Sequence, residues 1–567
     1  MRLVEIRLLD GPNVYRLEPT VKVEVTVGRR RTWYGARQPE RYNVIRLGAR
    51  VGPARAPRPV AELAGWVRRL HRRALGRTVP VAIHRTSEPG HWIVAFPWRE
   101  GERAETLARA ALRLADGPHN GGVSFKRAVR RIREAESTPP EWITDEQRRV
   151  PIVSISGTNG KSTTTRLISH LLREAGRSVG TTTSDGVIID GQLVEEGDLT
   201  GPMGAQRVLG DSKVDVAVLE TARGGIVLRG VGYQSNEAAV LTNVSSDHLD
   251  LHGLHTLPEL AEVKSVIARI TRADGTVVLN ADDPLVAEVR RQVKADVCYF
   301  SLRPTSRRVR AHLARGGRAL LLEDGFVLEA QGARKKRLLP VAEVPSTLGG
   351  VALHNVANAL AAAGAALALG VTREEVAAGL RSFHASAEHT PGRLNLHRSG
   401  RRLVIVDFAH NEAGVAVLFD MAEAILGLRG SRQGTLTAIV GTAGDRPDDT
   451  LRGIGRIAAQ RADEVAIKET LRYLRGRSRA SVIGEFRAGL RQGGLRRAAL
   501  AVPVYEDEPS AVRAELTTAG RLAATDEGTP RVVLLMCHVD RLGVERVLTE
   551  LGFAPVADVA ELQELRR

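Results

Sequence analysis

Cysteine is nearly absent: the 567-residue chain has two, Cys298 and Cys537. So few thiols exclude a disulfide framework or a thiolate metal cluster and fit a reducing compartment. Long apolar runs are missing too. No stretch approaches the roughly 18 to 20 apolar residues of a membrane span, and the opening MRLVEIRLLDGPN lacks the apolar core of a signal peptide, so a cytoplasmic protein without a membrane partner is expected. Internal repeats of solenoid period and low-complexity tracts are also absent, which argues against a repeat array or a disordered chain.

What is present is ordinary globular material, 43% hydrophobic against 26% charged, in a chain too long for one core. Of a net charge of +17, most sits in the first quarter, where residues 1–149 hold 30 Lys/Arg against 16 Asp/Glu. RRRTWYGAR (29–37), RRLHRRALGR (68–77) and KRAVRRIRE (126–134) carry much of it. Such a face attracts nucleic acid, an acidic polymer or a partner protein, or is simply a solvated arginine surface. Trp33 and Tyr34 aside, no aromatics interleave with it, so nucleic acid is disfavoured.

Residues 1–120 read as a small α+β domain, with strands VKVEVTV, VPVAIHR and HWIVAFP and amphipathic helices VAELAGWVRRLHRRAL and ETLARAALRLA. A linker with a short basic helix follows at 121–149. From 150 to 390 the runs VPIVSIS, VDVAVLET, EAAVLTNV, GTVVLNADDP and ADVCYFS alternate with helices, the pattern of a mostly parallel sheet covered on both faces. Residues 391–567 repeat that rhythm (RRLVIVDFA, LTAIVGT, ADEVAIKE, RVVLLMC), predicting a second, Rossmann-like α/β domain.

The most informative stretch is VSISGTNGKSTTTRLISHLL (153–172). A strand enters a turn of Gly157, Thr158, Asn159 and Gly160, then Lys161, Ser162 and Thr163 open a helix. Bare backbone N–H groups and a helix N-terminus would surround an anion there, Lys161 reaching the β- and γ-phosphates and a Ser162 or Thr163 hydroxyl holding Mg²⁺. The full G-x-x-x-x-G-K-[ST] pattern is not met, because Ile155 stands at its first glycine. Other polar residues are expected on the same rim: Glu220 ends one strand, Asp247 and His248 follow the next, and Lys264 lies on the helix after it.

Taken in order, GTNGKST, Glu220, Asp247-His248-Leu249, Lys264, NADDP (280–284), HNVANALAA (354–362), GRLN (392–395) and DFAHNEAG (407–414) resemble the motifs of Mur ligases. Within that family the chain is most similar to the Mur-ligase half of cyanophycin synthetases, which shares GTTTSDGVIIDG (180–191), GDLTGPMGAQRVL (197–209) and ETARGGI (220–226). The first domain resembles theirs as well, in LLDGPN and HRTSEPGHWIVAFPWREGERAETLARAALRLA. Those enzymes carry an ATP-grasp domain between these parts; here about 35 residues connect the first domain to the phosphate loop, so the same polymer cannot be made unaided by the same route.

The resemblance implies a Mg²⁺-dependent, ATP-consuming ligase that joins a carboxylate to an amine through an acyl phosphate. It implies Lys161, Glu220, His248 and Lys264 as the catalytic set. Ser162, Glu220 and His248 would be metal ligands, joined by Lys264 in a carbamylated form. Asn280, Asn355, Asn358, Arg393 and Asp407 would complete the nucleotide site. Thr182, Thr183, Ser184, Asp185 and Arg223 would meet the acceptor, with His410 and Asn411 lining the same cleft. The amino acid would bind near Gly444-Asp445-Arg446 and LRGR (474–477). Phe408 and Glu412 stand where relatives often have Tyr and Pro. Implied partners are an amino acid and a carboxylate-bearing peptide or polymer, with a separate ATP-grasp ligase as a further candidate; independently of these, association into a homo-oligomer is left open. Two other readings share the loop: a non-catalytic nucleotide-binding partner of such a ligase, and a nucleic-acid-dependent P-loop ATPase.

Overall fold

The computed structural model describes residues 1–28, 50–116, 124–246, 253–427, 434–468, 471–495, 501–517, 530–556 and 560–564. Residues 29–37, the first basic cluster, and Asp247-His248-Leu249 lie outside them.

The first domain is an antiparallel sheet in the order β1 (Arg2–Leu9), β2 (Thr20–Thr26), β4 (His91–Pro97), β3 (Ala82–Arg85). Val21, Val23 and Val25 of β2 alternate inward and are fully buried against Leu63, Val67 and Leu70 of α1 (Arg58–Leu75) and Leu107 of α2 (Gly101–Ala115). The basic helix α3 (Phe125–Glu134) does not stand free between domains. Its Ala128, Val129 and Ile132 are buried in this same core. Strand β1 had no counterpart among the expected strands, because its charged residues break the apolar pattern.

The domain docks through LLDGPN. Asp10 N donates to Arg229 O at 2.7 Å, and Val231 N donates to Pro12 O at 2.8 Å. Gly11 between them has no substitute, since a Cβ there would lie 1.8 Å from Val231 O. The connection that follows is also pinned: Arg148 bonds Asp145 at 3.0 Å and Glu237 at 2.7 Å.

The central sheet has eleven strands. Seven run parallel in the order β13 (Arg318–Glu323), β12 (Asp296–Ser301), β11 (Thr271–Asn280), β10 (Asn236–Leu241), β5 (Ile152–Ser156), β9 (Val216–Glu220), β6 (Val179–Thr183). Antiparallel hairpin strands β14 (Phe326–Gln331) and β15 (Arg334–Pro340) extend one edge, and β7 (Gly186–Ile189) and β8 (Gln192–Glu196) the other. Every residue of β5 and β9 is buried, and an apolar cluster covers each face, which is why these strands read as continuous apolar runs. Because β5 lies between β9 and β10, the phosphate loop and the ends of both neighbours meet at one rim.

The last domain is a seven-stranded sheet, β20 (Val504–Tyr505), β19 (Glu464–Lys468), β18 (Thr435–Val440), β21 (Arg531–Met536), β17 (Arg402–Asp407), β16 (Asn395–Ser399), β22 (Ala554–Pro555). The first five are parallel, and the last two add antiparallel edges. No helix among the described residues is long and apolar enough to cross a membrane.

Candidate functional site

Strand β5 delivers the chain into a turn whose two glycines have positive φ, +153° at Gly157 and +82° at Gly160. Both are packed too tightly for a side chain. A Cβ would come 1.9 Å from Thr242 Oγ1 at Gly157 and 2.4 Å from Asn358 Oδ1 at Gly160. The helix α4 (Lys161–Glu174) then begins with no side-chain cap at Gly160, so its first amides remain available to an anion.

The loop is clamped to the end of β10. Thr158 N donates to Asn243 O at 2.8 Å and Asn159 N to Asn243 Oδ1 at 3.0 Å. The Asn159 carbonyl accepts from Thr242 Oγ1 at 2.7 Å and from Asn243 Nδ2 at 3.0 Å. Two lysines fold onto loop carbonyls: Lys161 Nζ donates to Thr158 O at 2.8 Å, and Lys264 Nζ, from α7 (Leu257–Lys264), to Gly157 O at 2.6 Å. Lys264 is only 5% exposed.

Glu220 ends β9 beside this loop, 4% exposed, with its Oε2 buried and lacking any hydrogen-bond partner. Burial raises its pKa, against the opposing pull of Lys161, Arg393 and the Ser162 hydroxyl. A buried carboxylate oxygen with no donor, beside a buried serine hydroxyl, is the donor set a hard cation takes. Among the described residues no group of three or more His, Cys, Asp or Glu stands ready to hold a metal. The Glu220 carboxylate and the Ser162 hydroxyl would be the oxygens offered to Mg²⁺ from the loop side, and their chemistry suits it.

These groups form the floor of a cleft of about 560 Å³ roofed by the last domain. Asn280 lines it and braces the β10 end, donating to Thr242 O at 2.8 Å. On the far side, Thr164 Oγ1 donates to Asn358 Oδ1 at 3.3 Å, Asn358 Nδ2 to Asn355 Oδ1 at 3.1 Å, and Asn355 Nδ2 to Ser346 O at 2.7 Å.

Across the cleft, Asp407 at the end of β17 is taken up in backbone work. Its Oδ2 accepts from Leu394 N and its Oδ1 from Ala409 N, both at 2.8 Å. Burial raises its pKa, opposed by Arg393. Arg393 lies 5.0 Å over the Phe408 ring and donates to Ser184 Oγ at 3.3 Å. His410 donates Nδ1–H to Phe408 O at 3.1 Å. Asn411, fully buried, caps the helix Glu412–Leu426 through Gly414 N at 2.9 Å and exchanges amide bonds with Asn159, 3.3 Å one way and 3.0 Å the other.

The profile of the Mur ligase middle domain matches residues 155–366. A UDP-N-acetylmuramoyl-L-alanyl-D-glutamate–2,6-diaminopimelate ligase of Gloeobacter violaceus is 30% identical over 397 residues, 67% of this chain and 75% of that one. The chain belongs to the Mur ligase family. Within the family it is 45% identical over 331 residues to a cyanophycin synthetase of Crocosphaera subtropica; the match takes in 58% of this chain but only 37% of that relative's length. The crystal structure of Mycobacterium tuberculosis folylpolyglutamate synthase complexed with ADP and AMPPCP has the same fold, with a TM-score of 0.51 at 22% identity, covering 72% of this chain and 92% of that one.

In this Mur ligase chain the cleft brings together Thr158 to Thr163, Glu220, Asn280, Asn355, Asn358, Arg393, Asp407 and His410 as expected neighbours. Lys264 touches Gly157, and Asn411 touches Asn159. His248 lies outside the described residues. Of the expected acceptor residues, Ser184 faces the cleft, whereas Thr182 and Thr183 are buried within β6 and Arg223, at the start of α6 (Arg223–Leu228), is absent from the lining. Asp185 is engaged elsewhere: it binds Arg166 of α4 at 2.8 Å and Arg541 of the last domain at 2.9 Å. Burial alone would raise its pKa, but Arg541 and Arg166 hold it below the usual carboxylate range. Arg446 and Arg475, from the two segments expected to meet the amino acid, do line the cleft, together with Tyr473 just before the second segment.

Among the cleft residues not singled out in the sequence are Thr242, Asn243, Asp198 and His354. Thr242 and Asn243 clamp the loop. Asp198 lines the cleft, its Oδ1 accepting from Thr200 Oγ1 at 2.6 Å. His354, which also lines it, has its pKa pushed down to about 4 by burial. Each sits inside a recognised phrase, so a polar residue at a strand end or helix start was the available signal.

Proposed function

We propose that this chain is an ATP-dependent ligase that couples a substrate carboxylate to an amino acid through an acyl phosphate. The observation that carries this reading is the buried, partnerless Glu220 Oε2 beside Ser162 and Lys161 at the floor of a cleft closed by a second domain. Bound Mg²⁺, held by Ser162 and Glu220, would supply neutralisation of phosphate charge.

The chain's own groups do the rest. The α4 amides and Lys161 bind and orient the triphosphate, and turning Lys161 from the Thr158 carbonyl to a phosphate oxygen costs one hydrogen bond and gains a charge-assisted one. Asn355 and Asn358 border the nucleotide side. Arg393, near Ser184, holds the acceptor carboxylate or the phosphoryl oxygens as charge moves between them. The γ-phosphoryl group passes to the carboxylate; the amine then attacks the acyl carbon, and phosphate leaves as the amide forms. Roofing by the His410–Asn411 loop excludes water, which would otherwise hydrolyse the mixed anhydride.

Arg446, Tyr473 and Arg475 border the side of the cleft from which the amine would arrive, and we assign them to the amino acid. The acceptor is an acidic peptide or polymer-like chain, a reading that leans on the similarity to cyanophycin synthetases. Phosphate release measured over the set of amino acids, with acidic peptides as acceptors, tests the proposal. Turnover should need ATP, acceptor and amine together, and steady hydrolysis indifferent to acceptor and amine would refute it.

A further inference from the structure

A second charged cavity lies in the first domain, about 230 Å³ in volume. Three arginines line it: Arg16 from the turn after LLDGPN, Arg50 beside β3, and Arg68 of α1. Its remaining walls are apolar and include Val51, Val81 and Ile83. Each arginine is set by local structure. Asn13 N donates to Arg16 O at 2.8 Å while Arg16 N returns a bond to Asn13 Oδ1 at 3.1 Å, closing the turn. Arg50 pairs with His84 as an isolated bridge, and Arg68 Nη2 donates to Val81 O at 3.1 Å.

Among the described residues, Glu18 is the one carboxylate that reaches these guanidinium groups, bonding Arg16 Nε at 2.8 Å and Nη2 more closely still. The Arg16 side chain is only 12% exposed, and its Nη1 is buried with no hydrogen-bond partner. A buried donor of a permanently charged group calls for an acceptor. Three positive charges against one carboxylate leave a local excess of two. One carboxylate would neutralise half of it, whereas a phosphoryl group, carrying roughly −1.5 to −2 at neutral pH, matches it and presents oxygens suited to several guanidinium forks.

We propose that Arg16, Arg50 and Arg68 form a binding site for a phosphoryl anion, separate from the phosphate loop. The shared chemistry is a dianionic phosphate, free or as the head group of a small monoester. The apolar walls leave room for a short stem.

Calorimetric titration of the full chain tests this, with Lys161→Ala in the background to weaken the phosphate loop. Inorganic phosphate and glycerol phosphate are the two probes, and glutarate is the carboxylate control. One phosphate per chain should bind, and Arg16→Gln and Arg68→Gln should each weaken it at least tenfold. Arg50 is exposed, so Arg50→Gln leaves the fold intact and should weaken binding severalfold. Tighter binding of glycerol phosphate would identify a monoester as the ligand, and tighter binding of inorganic phosphate the free ion. Affinity unchanged in all three variants, glutarate binding as tightly as phosphate, or no saturable binding in the millimolar range would overturn the proposal.

Discussion

Replacing Glu220 by glutamine should make the empty protein more stable while abolishing its chemistry. Glu220 is 4% exposed and its Oε2 has no donor, so the fold carries an unsatisfied buried carboxylate. Glutamine keeps the shape and has no charge to desolvate. Relief of one such group is worth about 2 kcal/mol, or roughly 4–8 °C in the melting of a domain of this size. The sign with pH follows from the raised pKa. The folded state holds this proton longer than the unfolded one, so the penalty is absent below the unfolded carboxyl value of about 4.3. It grows as pH rises through the folded pKa and then levels off. The melting gap between variant and wild type should therefore open as pH rises. ATP with Mg²⁺ should invert the order: a ligand at a hundred times its Kd adds about 2.7 kcal/mol to the wild type and little to the variant. Calorimetry of both proteins across pH, with and without ATP and Mg²⁺, reads all three effects. A destabilised empty variant, or one stabilised by the nucleotide as strongly as the wild type, would refute the assignment of Glu220 as a cation ligand.

Lys161→Ala should reduce turnover by about 10²–10³, the usual loss for one preorganised charge donor, and lower the melting point slightly at neutral pH, because its charge offsets the buried Glu220; single-turnover phosphate release measures the first effect and calorimetry the second. Gly160→Ala meets Asn358 Oδ1 at 2.4 Å from a backbone at φ +82° and should cost about 1–3 kcal/mol in denaturant titration, with loss of ADP binding. Asp185→Asn removes the charge held between Arg166 and Arg541 and should cost about 2 kcal/mol. Because the folded pKa of Asp185 is depressed, its contribution is present above the unfolded value and lost as pH falls through the folded one. A stability difference between Asp185→Asn and wild type that persists at acid pH would contradict this.

The parts of the site readable from the sequence are those fixed by local geometry. Gly157, Gly160, Lys161 and Ser162 follow from a strand–turn–helix connection, and Glu220 was readable as the polar end of an apolar run. Parallel sheets and their strand cores followed from the same runs. Residues whose partners lie far along the chain were not readable. Thr242 and Asn243 clamp a loop more than eighty residues earlier because β10 pairs with β5, a choice of sheet order that the runs do not encode. Asp185 looked like a substrate contact in its motif, but its second arginine, Arg541, lies 356 residues away. The basic helix α3 read as a linker because arginines dominate it, while three small or branched apolar residues on its inner face suffice to bury it.

The central claim is the acyl phosphate. An acceptor carrying heavy oxygen in its carboxylate, turned over with ATP and amino acid, should yield phosphate bearing one labelled oxygen per amide formed, since the atom passes with the departing group. Amide formation with all the label left in the product or acceptor would contradict the account.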